Sequence, residues 1–400
     1  MLLTVTSMMI ISFFIDKDML NEYNFINWDG KHYYNIKNEG YKGINIAFFP
    51  LFPSFWAFIN VSIYNIVIIN IIIWLSSFYY LIIQYSKLKL YEIGLYLTVP
   101  SLLFCGVAYT EAFYFGATTL LIVGIKQHKK QLLYLGLFAA TLCRPAFIFF
   151  APALAAMELY GNNENWSLNF LIKKTLNLLS YALCLLLALG AVFLIHYYQT
   201  GNFWAYFEAS KQWGGVLILP KFPLTTWGAA SILKLDAASL CISLSAGFYL
   251  LYQIIKYKLT NAIPLAKELI FALAYMGVLG LFLFFRAGTL FSLNRFVLVN
   301  PFFIIIVHYF INSNIQFNKK QLASIFLAIN LFMLLFGSYS HIKTLISFTV
   351  LACFLLLPFL LKYNQINKNY DYIIIIIITA VNFVLQLYFY TQFLSNEWVG

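Results

Sequence analysis

The chain has 400 residues, of which 62% are hydrophobic and only 10% charged, at a mean hydropathy of +0.81. A soluble globular domain carries about 25% charged residues, so the composition excludes one and predicts an all-α integral membrane protein; barrel strands would alternate apolar and polar positions, and these runs do not. The net charge of +11 does not point to nucleic acid, because only three of the 25 basic residues are arginines and the lysines fall in short loops between apolar runs, a pattern that sets topology.

In chain order, apolar runs between charged breaks predict spans near 2–15, 59–85, 91–108, 111–126, 131–144, 145–160, 175–198, 237–255, 269–286, 296–312, 322–337, 344–361 and 373–394. That is about thirteen helices in one membrane domain covering residues 1–400. Met1 to Ile15 lacks a basic leader and a small-residue cleavage site, so it reads as an uncleaved span or the remainder of a longer start; it falls short of the usual ~17 to 25 residues. Lysines mark every second loop: Lys87/Lys89, Lys126/Lys129/Lys130, Lys173/Lys174, Lys256/Lys258/Lys267, Lys319/Lys320 and Lys362/Lys368. The positive-inside rule makes those loops cytoplasmic and turns 16–45 and 198–223 outward. The five cysteines all lie in apolar segments without metal-ligand spacing, and they read as small core residues.

The loop 16–45 holds five of the fourteen acidic residues (Asp16, Asp18, Glu22, Asp29 and Glu39) and the run Trp28-Asp29-Gly30-Lys31-His32-Tyr33-Tyr34. Asp29 beside a tryptophan at a membrane surface suits a general base; the same residues suit a helix cap. Tyr33, Tyr34 and Tyr41 either stack on a sugar or populate the interfacial aromatic belt. Pro50 and Pro53 are expected to block regular helix and shape the return of the loop to the membrane.

Glu111 lies between two apolar segments, either as a functional ionisable group or as the first residue of a helix in water. All three arginines (Arg144, Arg286 and Arg295) lie within or at the ends of apolar segments. A planar guanidinium binds phosphate bidentately, so these residues are candidates for holding a phosphate or carboxylate; the alternative is a structural pair with Glu111 or Asp236. Thr200 to Gly215, with Trp213, is an aromatic amphipathic stretch that serves as a lid or acceptor platform, or else as an interfacial anchor. No nucleotide-binding P-loop, HExxH or GxSxG motif occurs, so an activated substrate is expected to supply the driving force. No metal and no cofactor is expected, although Asp16, Asp18 and Asp29 share one loop.

Five stretches resemble the PIG-V family of mannosyltransferases in the GT-C superfamily, bacterial-type members included. The WD-x-x-H-Y, G-Y and A-F-F-P-L-x-P elements match Trp28, Asp29, His32, Tyr33, Gly40, Tyr41 and Ala47 to Pro53. Y-[ST]-E-[SA] matches Tyr109 to Ala112, and R-P matches Arg144-Pro145. T-G-[DN]-x-x-A-[FY] and W-G match Thr200, Gly201, Asn202, Ala205, Tyr206, Trp213 and Gly214, and an R-[YF]-x-L element followed by proline matches Arg295, Phe296, Leu298 and Pro301. The acidic residue that eukaryotic members often carry before A-F-F-P is absent from Lys42-Gly43-Ile44-Asn45.

The resemblance implies transfer of a sugar, mannose in the eukaryotic family, from a polyprenyl-phosphate donor to a lipid-linked or other glycan acceptor. Asp29 would be the base, and Arg295, with Arg144 and Arg286, would hold the donor phosphate. Trp28, His32, Tyr33, Tyr41, Glu111 and Trp213 would line the substrate site. Membrane lipid is the expected surrounding, nucleic acid is not a partner, and an accessory subunit is left open. The expected location is the bacterial cytoplasmic membrane with the site outward, or the endoplasmic reticulum membrane of a eukaryote. The rival class is a polytopic transporter or lipid flippase, which also uses intramembrane charge and broken helices. It predicts ionisable groups at mid-membrane, whereas these cluster at predicted outer ends.

Overall fold

The computed structural model describes residues 17–85, 89–160, 167–260, 264–286, 288–337, 341–363 and 369–400. These residues form helices joined by turns and loops, the loop 213–229 among them, with only isolated bridges such as Leu217 to Arg286 and no strand. Short 3₁₀ turns lead into α1 (Asp29–Glu39) and α2 (Leu51–Ile59), and α3 (Ile63–Ile82) and α4 (Leu90–Leu97) follow. A 3₁₀ segment, Pro100–Gly106, precedes α5 (Glu111–Lys126), α6 (Lys130–Cys143) and α7 (Phe147–Leu159). The long α8 (Leu168–Thr200) is followed by the short α9 (Ala205–Gln212), then α10 (Ala230–Thr260) and α11 (Lys267–Phe285). The remainder is α12 (Leu293–Leu298), α13 (Pro301–Asn312), α14 (Lys319–Met333), α15 (Ile342–Leu360) and α16 (Asn369–Leu394).

Six of these are long and apolar enough to cross a membrane, namely α3, α8, α10, α11, α15 and α16 from Tyr370. Their outward faces carry leucine and isoleucine rather than charge, as at Leu176, Leu179, Leu183 and Leu186 of α8. Such a surface needs hydrocarbon as its solvent, and the chain has the build of a membrane protein. A seventh candidate is the pair formed by Pro100–Gly106 and α5, bent by 104°. Of the about thirteen expected spans, six or seven are long and apolar enough to cross a membrane among the described residues. Helices α6, α7 and α13 reach only 10–17 residues, because Arg144-Pro145 and Asn300-Pro301 interrupt the runs. The predicted first span, 2–15, lies outside the described residues.

Two other expectations change. Pro50 and Pro53 do not block helix; they start α2, with Pro50 at its N-cap and Pro53 in the first turn, where a missing N–H costs nothing. Cys105, Cys143 and Cys184 are buried, but Cys353 is exposed on α15.

The bend between residues 97 and 110 leaves several backbone carbonyls without helical partners, which is costly away from water. Side chains supply the missing donors. Gln386 Nε2 donates to the carbonyls of Leu97 and Val99, and the Tyr390 hydroxyl to that of Gly106, all at 3.0–3.3 Å. Asn70 Nδ2 donates to the carbonyls of Val107 (2.7 Å) and Tyr109 (2.9 Å). Helices α3 and α16 thus hold a non-helical stretch whose last residues enter the candidate site.

Glycines set the closest helix contacts, as small residues do in membranes. On α10 and α11, a Cβ on Gly277 would lie 2.6 Å from the Cα of Gly247. At Gly136 of α6, a Cβ would collide with the backbone of Leu121 and lie 2.6 Å from the Ala117 carbonyl oxygen. Gly136→Ala is therefore expected to force α5 and α6 apart and cost about 1–3 kcal/mol, read as a lower thermal midpoint of the detergent-purified protein. An unchanged midpoint would mean that this contact relaxes freely.

Candidate active site

Asp29 is the first residue of α1, 7% exposed, and its position is fixed from three sides. Its backbone N–H donates to the Tyr109 hydroxyl (3.1 Å), which donates in turn to the Asn27 carbonyl (3.0 Å). Asn27 Nδ2 donates to the Phe393 carbonyl at the end of α16 (2.9 Å). Gly30 keeps this corner tight, since a Cβ there would lie 3.3 Å from Ile26 Cβ and 3.4 Å from the Tyr109 ring. The preceding Trp28 adopts φ 56°, ψ −119°. A bulky residue held at positive φ costs on the order of 1–3 kcal/mol and persists where its surroundings over-determine it.

Three further charged residues from distant segments meet Asp29. Glu111 opens α5, Arg144 closes α6 before Pro145, and Arg295 lies in α12. Arg295 bridges two carboxylates, with Nη1 2.7 Å from Asp29 Oδ2 and Nε 3.0 Å from Glu111 Oε1. Arg144 Nη2 pairs with the same Glu111 oxygen. Two positive and two negative groups, each at most 9% exposed, so form one balanced chain. Burying an arginine costs at least about 2.5 kcal/mol on insertion scales, and here each has a carboxylate to offset that cost. Burial by itself would lower the Arg295 pKa, but Asp29 and Glu111 outweigh it and hold the guanidinium above its ordinary value.

Aromatic faces complete the setting. The Arg295 guanidinium lies over Tyr109, Phe104 and Phe296 at 5.1–5.4 Å, and Arg144 lies over Tyr114 and Phe296 at 4.8 and 5.1 Å. Phe296 is thus shared by both cations, which are further stabilised by the ring quadrupoles. Asp236 anchors the element carrying Arg295, accepting from the backbone N–H and the side-chain amide of Asn294, both at 2.8 Å, and from Thr226 Oγ1 at 2.8 Å. Asn294 Oδ1 accepts from Ser101 (2.8 Å).

Of the expected site residues, Asp29, Glu111, Arg144 and Arg295 come together. Tyr33 adjoins them, its ring 6.3 Å from Tyr109; its pKa is raised first by burial and then by Glu111 and Asp29, which keeps the phenol neutral. His32, Tyr41 and Trp213 belong to a neighbouring aromatic cluster instead. His32 stacks on Phe48 (4.8 Å), meets the Trp213 ring edge-on (5.3 Å) and shares a 2.5 Å hydrogen bond with Asn45. Trp213 Nε1 donates to the Ile44 carbonyl (3.1 Å), which binds the end of α9 to the 3₁₀ turn Gly43–Ala47. Tyr41 docks on α8, its backbone N–H donating to Gln199 Oε1 (2.7 Å) and its ring lying 4.6 Å from that of His196. Trp28 turns outward, and Arg286 stands apart with no ion-pair partner among the described residues.

Glu111 does start a helix, as one of its two readings had it, but in a buried ionic cluster and not in water: it is 1% exposed. Among the described residues no group of three or more His, Cys, Asp or Glu side chains is placed to hold a metal ion. Asp16 lies outside those residues. The supporting roles of Asn27, Asn70, Tyr109 and Asn294 escaped the sequence reading; a polar residue inside an apolar run, as Asn70 is, was the available signal. Compared with known protein families, characterised proteins and solved structures, the chain matches none.

Proposed function

We propose that the chain is a multi-pass membrane glycosyltransferase of GT-C type, in which the short and broken helices count as membrane segments beside the long ones. It moves a sugar, mannose by family resemblance, from a polyprenyl-phosphate donor to a lipid-linked or glycan acceptor on the outer or lumenal face. One observation supports this most: the Asp29 carboxylate, the proposed base, lies 2.7 Å from Arg295, which also contacts Glu111 and through it joins Arg144. A donor phosphate reaching Arg295 competes with Asp29 for the guanidinium. Entry of the donor then frees the carboxylate to take a proton.

In the reaction the acceptor hydroxyl gives its proton to Asp29 while its oxygen bonds to the anomeric carbon from the face opposite the phosphate. The bond from that carbon to the phosphate oxygen breaks, and the polyprenyl phosphate leaves with the electron pair. Configuration inverts. Arg295 stabilises the charge gathering on the leaving phosphate.

The test is reconstitution with labelled polyprenyl-phosphate mannose or glucose and a membrane extract, following which label moves and onto what. Solute flux without sugar transfer would replace the reading by a transporter. Arg295→Lys sharpens the test, because a lysine ammonium is a single point that cannot span Asp29 and Glu111 as Nη1 and Nε do. We expect donor KM to rise about tenfold or more, with acceptor KM little changed; a selective rise in acceptor KM would count against the assignment.

A further inference from the structure

Arg286 is the one arginine of the three without a carboxylate partner among the described residues. It sits half-buried at the C-cap of α11, where burial lowers its pKa. A guanidinium taken from water and left unpaired is costly, and it is the kind of group that a bound anion completes. The Phe291 ring lies 5.9 Å from the guanidinium carbon to the centroid.

From Phe291 a run of aromatic side chains leads to Asp29. Phe291 stacks with Trp398 (5.7 Å between centroids, 29° between planes), and Trp398 meets Trp28 edge to face (5.1 Å, 74°). Trp28 is the residue before Asp29. On the other side Phe291 meets Trp227 edge to face at 4.8 Å. Trp227 is 60% exposed and Trp28 38%. The Trp398 Nε1 is buried without a hydrogen-bond partner among the described residues. These rings come from four segments far apart in sequence. Trp28 reaches its place through a backbone conformation at φ 56° that starting a helix does not require. Trp398 reaches its place because the chain turns back after α16 at Asn396 (φ 64°), Glu397 N–H donating to the Gln392 carbonyl (2.9 Å) and Val399 only 3% exposed. Interfacial anchor tryptophans need no such convergence on one another and on a cation that has no ion-pair partner among the described residues.

Aromatic faces take the C–H face of a pyranose, an indole N–H donates to a hydroxyl, and a guanidinium fork takes phosphate oxygens. We propose that Trp28, Phe291 and Trp398, with Arg286 at the far end, form a subsite for a phosphate-bearing sugar that leads to Asp29. This rests on the glycosyltransferase reading for the reaction that follows, and not for the binding itself. The phosphate-bearing sugar belongs either to the donor, on its way to Arg295, or to a lipid-linked acceptor.

The test uses the full-length protein in lipid nanodiscs, measuring retention of labelled polyprenyl-phosphate mannose and competition by mannose 1-phosphate, mannose and inorganic phosphate. Trp398→Ala and Arg286→Gln are each expected to weaken binding about tenfold, and Trp398→Phe by less than about threefold. Arg286→Gln also lowers the advantage of mannose 1-phosphate over mannose. If neither the labelled donor nor a lipid-linked acceptor loses affinity in Trp398→Ala and Arg286→Gln, both eluting like the wild type, the subsite is overturned. A loss confined to the donor assigns the phosphate to the donor; a rise confined to acceptor KM assigns it to the acceptor. Binding that depends on Trp398 and Arg286 without transfer from any polyprenyl donor upholds the subsite and removes the glycosyltransferase reading. Transfer and binding unchanged in both variants do the reverse.

Discussion

Asp29→Asn is expected to lower sugar transfer by about 10²–10⁴-fold, the range that general-base catalysis contributes, while the protein stays inserted and folded. Asparagine keeps the size of the side chain and one oxygen beside Arg295 Nη1, so the corner made by Tyr109 and Asn27, which contacts the backbone of residue 29 and not its carboxylate, is retained. What is lost is the ability to take a proton from an acceptor hydroxyl. The pairing with Arg295 adds a second, opposite expectation for binding. With one of its two carboxylate partners neutralised and only Glu111 left, Arg295 meets a donor phosphate with less competition, so donor affinity should hold or tighten while turnover falls. Measuring donor retention and transfer on the same purified variant separates the two. Full turnover would remove Asp29 as the base, and a parallel loss of donor affinity would mark it as a binding residue.

The site was legible where chemistry is written in residue type, and obscure where it depends on how the chain bends. A carboxylate beside a tryptophan, a lone glutamate between apolar runs and three sparse arginines are each visible in a sequence of 10% charged residues. Their convergence was not visible, because Glu111, Arg144 and Arg295 are brought to Asp29 by a 104° bend and by helix ends, neither of which has a hydrophobic period. The alternative first set against phosphate binding, pairing of arginine with Glu111, holds for Arg144 and Arg295, and Arg286 is the arginine left over. The span count meets the same features. Apolar runs near 91–108, 131–144 and 145–160 carry the composition of spans, but Pro100, Arg144 and Pro145 cut them to lengths that hydropathy alone does not resolve. Asn70, Gln386 and Tyr390 are polar residues inside apolar runs, and what they serve is visible only once the carbonyls of the bend are placed.

Glu111→Gln should act on the fold where Asp29→Asn acts on the chemistry. Glu111 Oε1 receives both Arg144 and Arg295, and the residue is 1% exposed. Neutralising it leaves two buried guanidiniums with Asp29 as their sole carboxylate, and breaking a buried pair in this way costs about 3–5 kcal/mol. That is a large share of a stability of roughly 5–15 kcal/mol. The expected result is a marked loss of monodisperse protein and a lowered thermal midpoint in detergent, before any loss of turnover is considered. Charge balance provides the control. Glu111→Gln combined with Arg144→Gln returns the cluster to one cation, Arg295, facing one carboxylate, Asp29, so the double variant should be more stable than Glu111→Gln alone despite carrying one more substitution. Such a coupling between contacting residues typically amounts to about 0.5–3 kcal/mol. If Glu111→Gln kept the wild-type midpoint and lost only transfer, the carboxylate would be serving the substrate and not the arginines, and the ionic chain would belong to the reaction throughout its length.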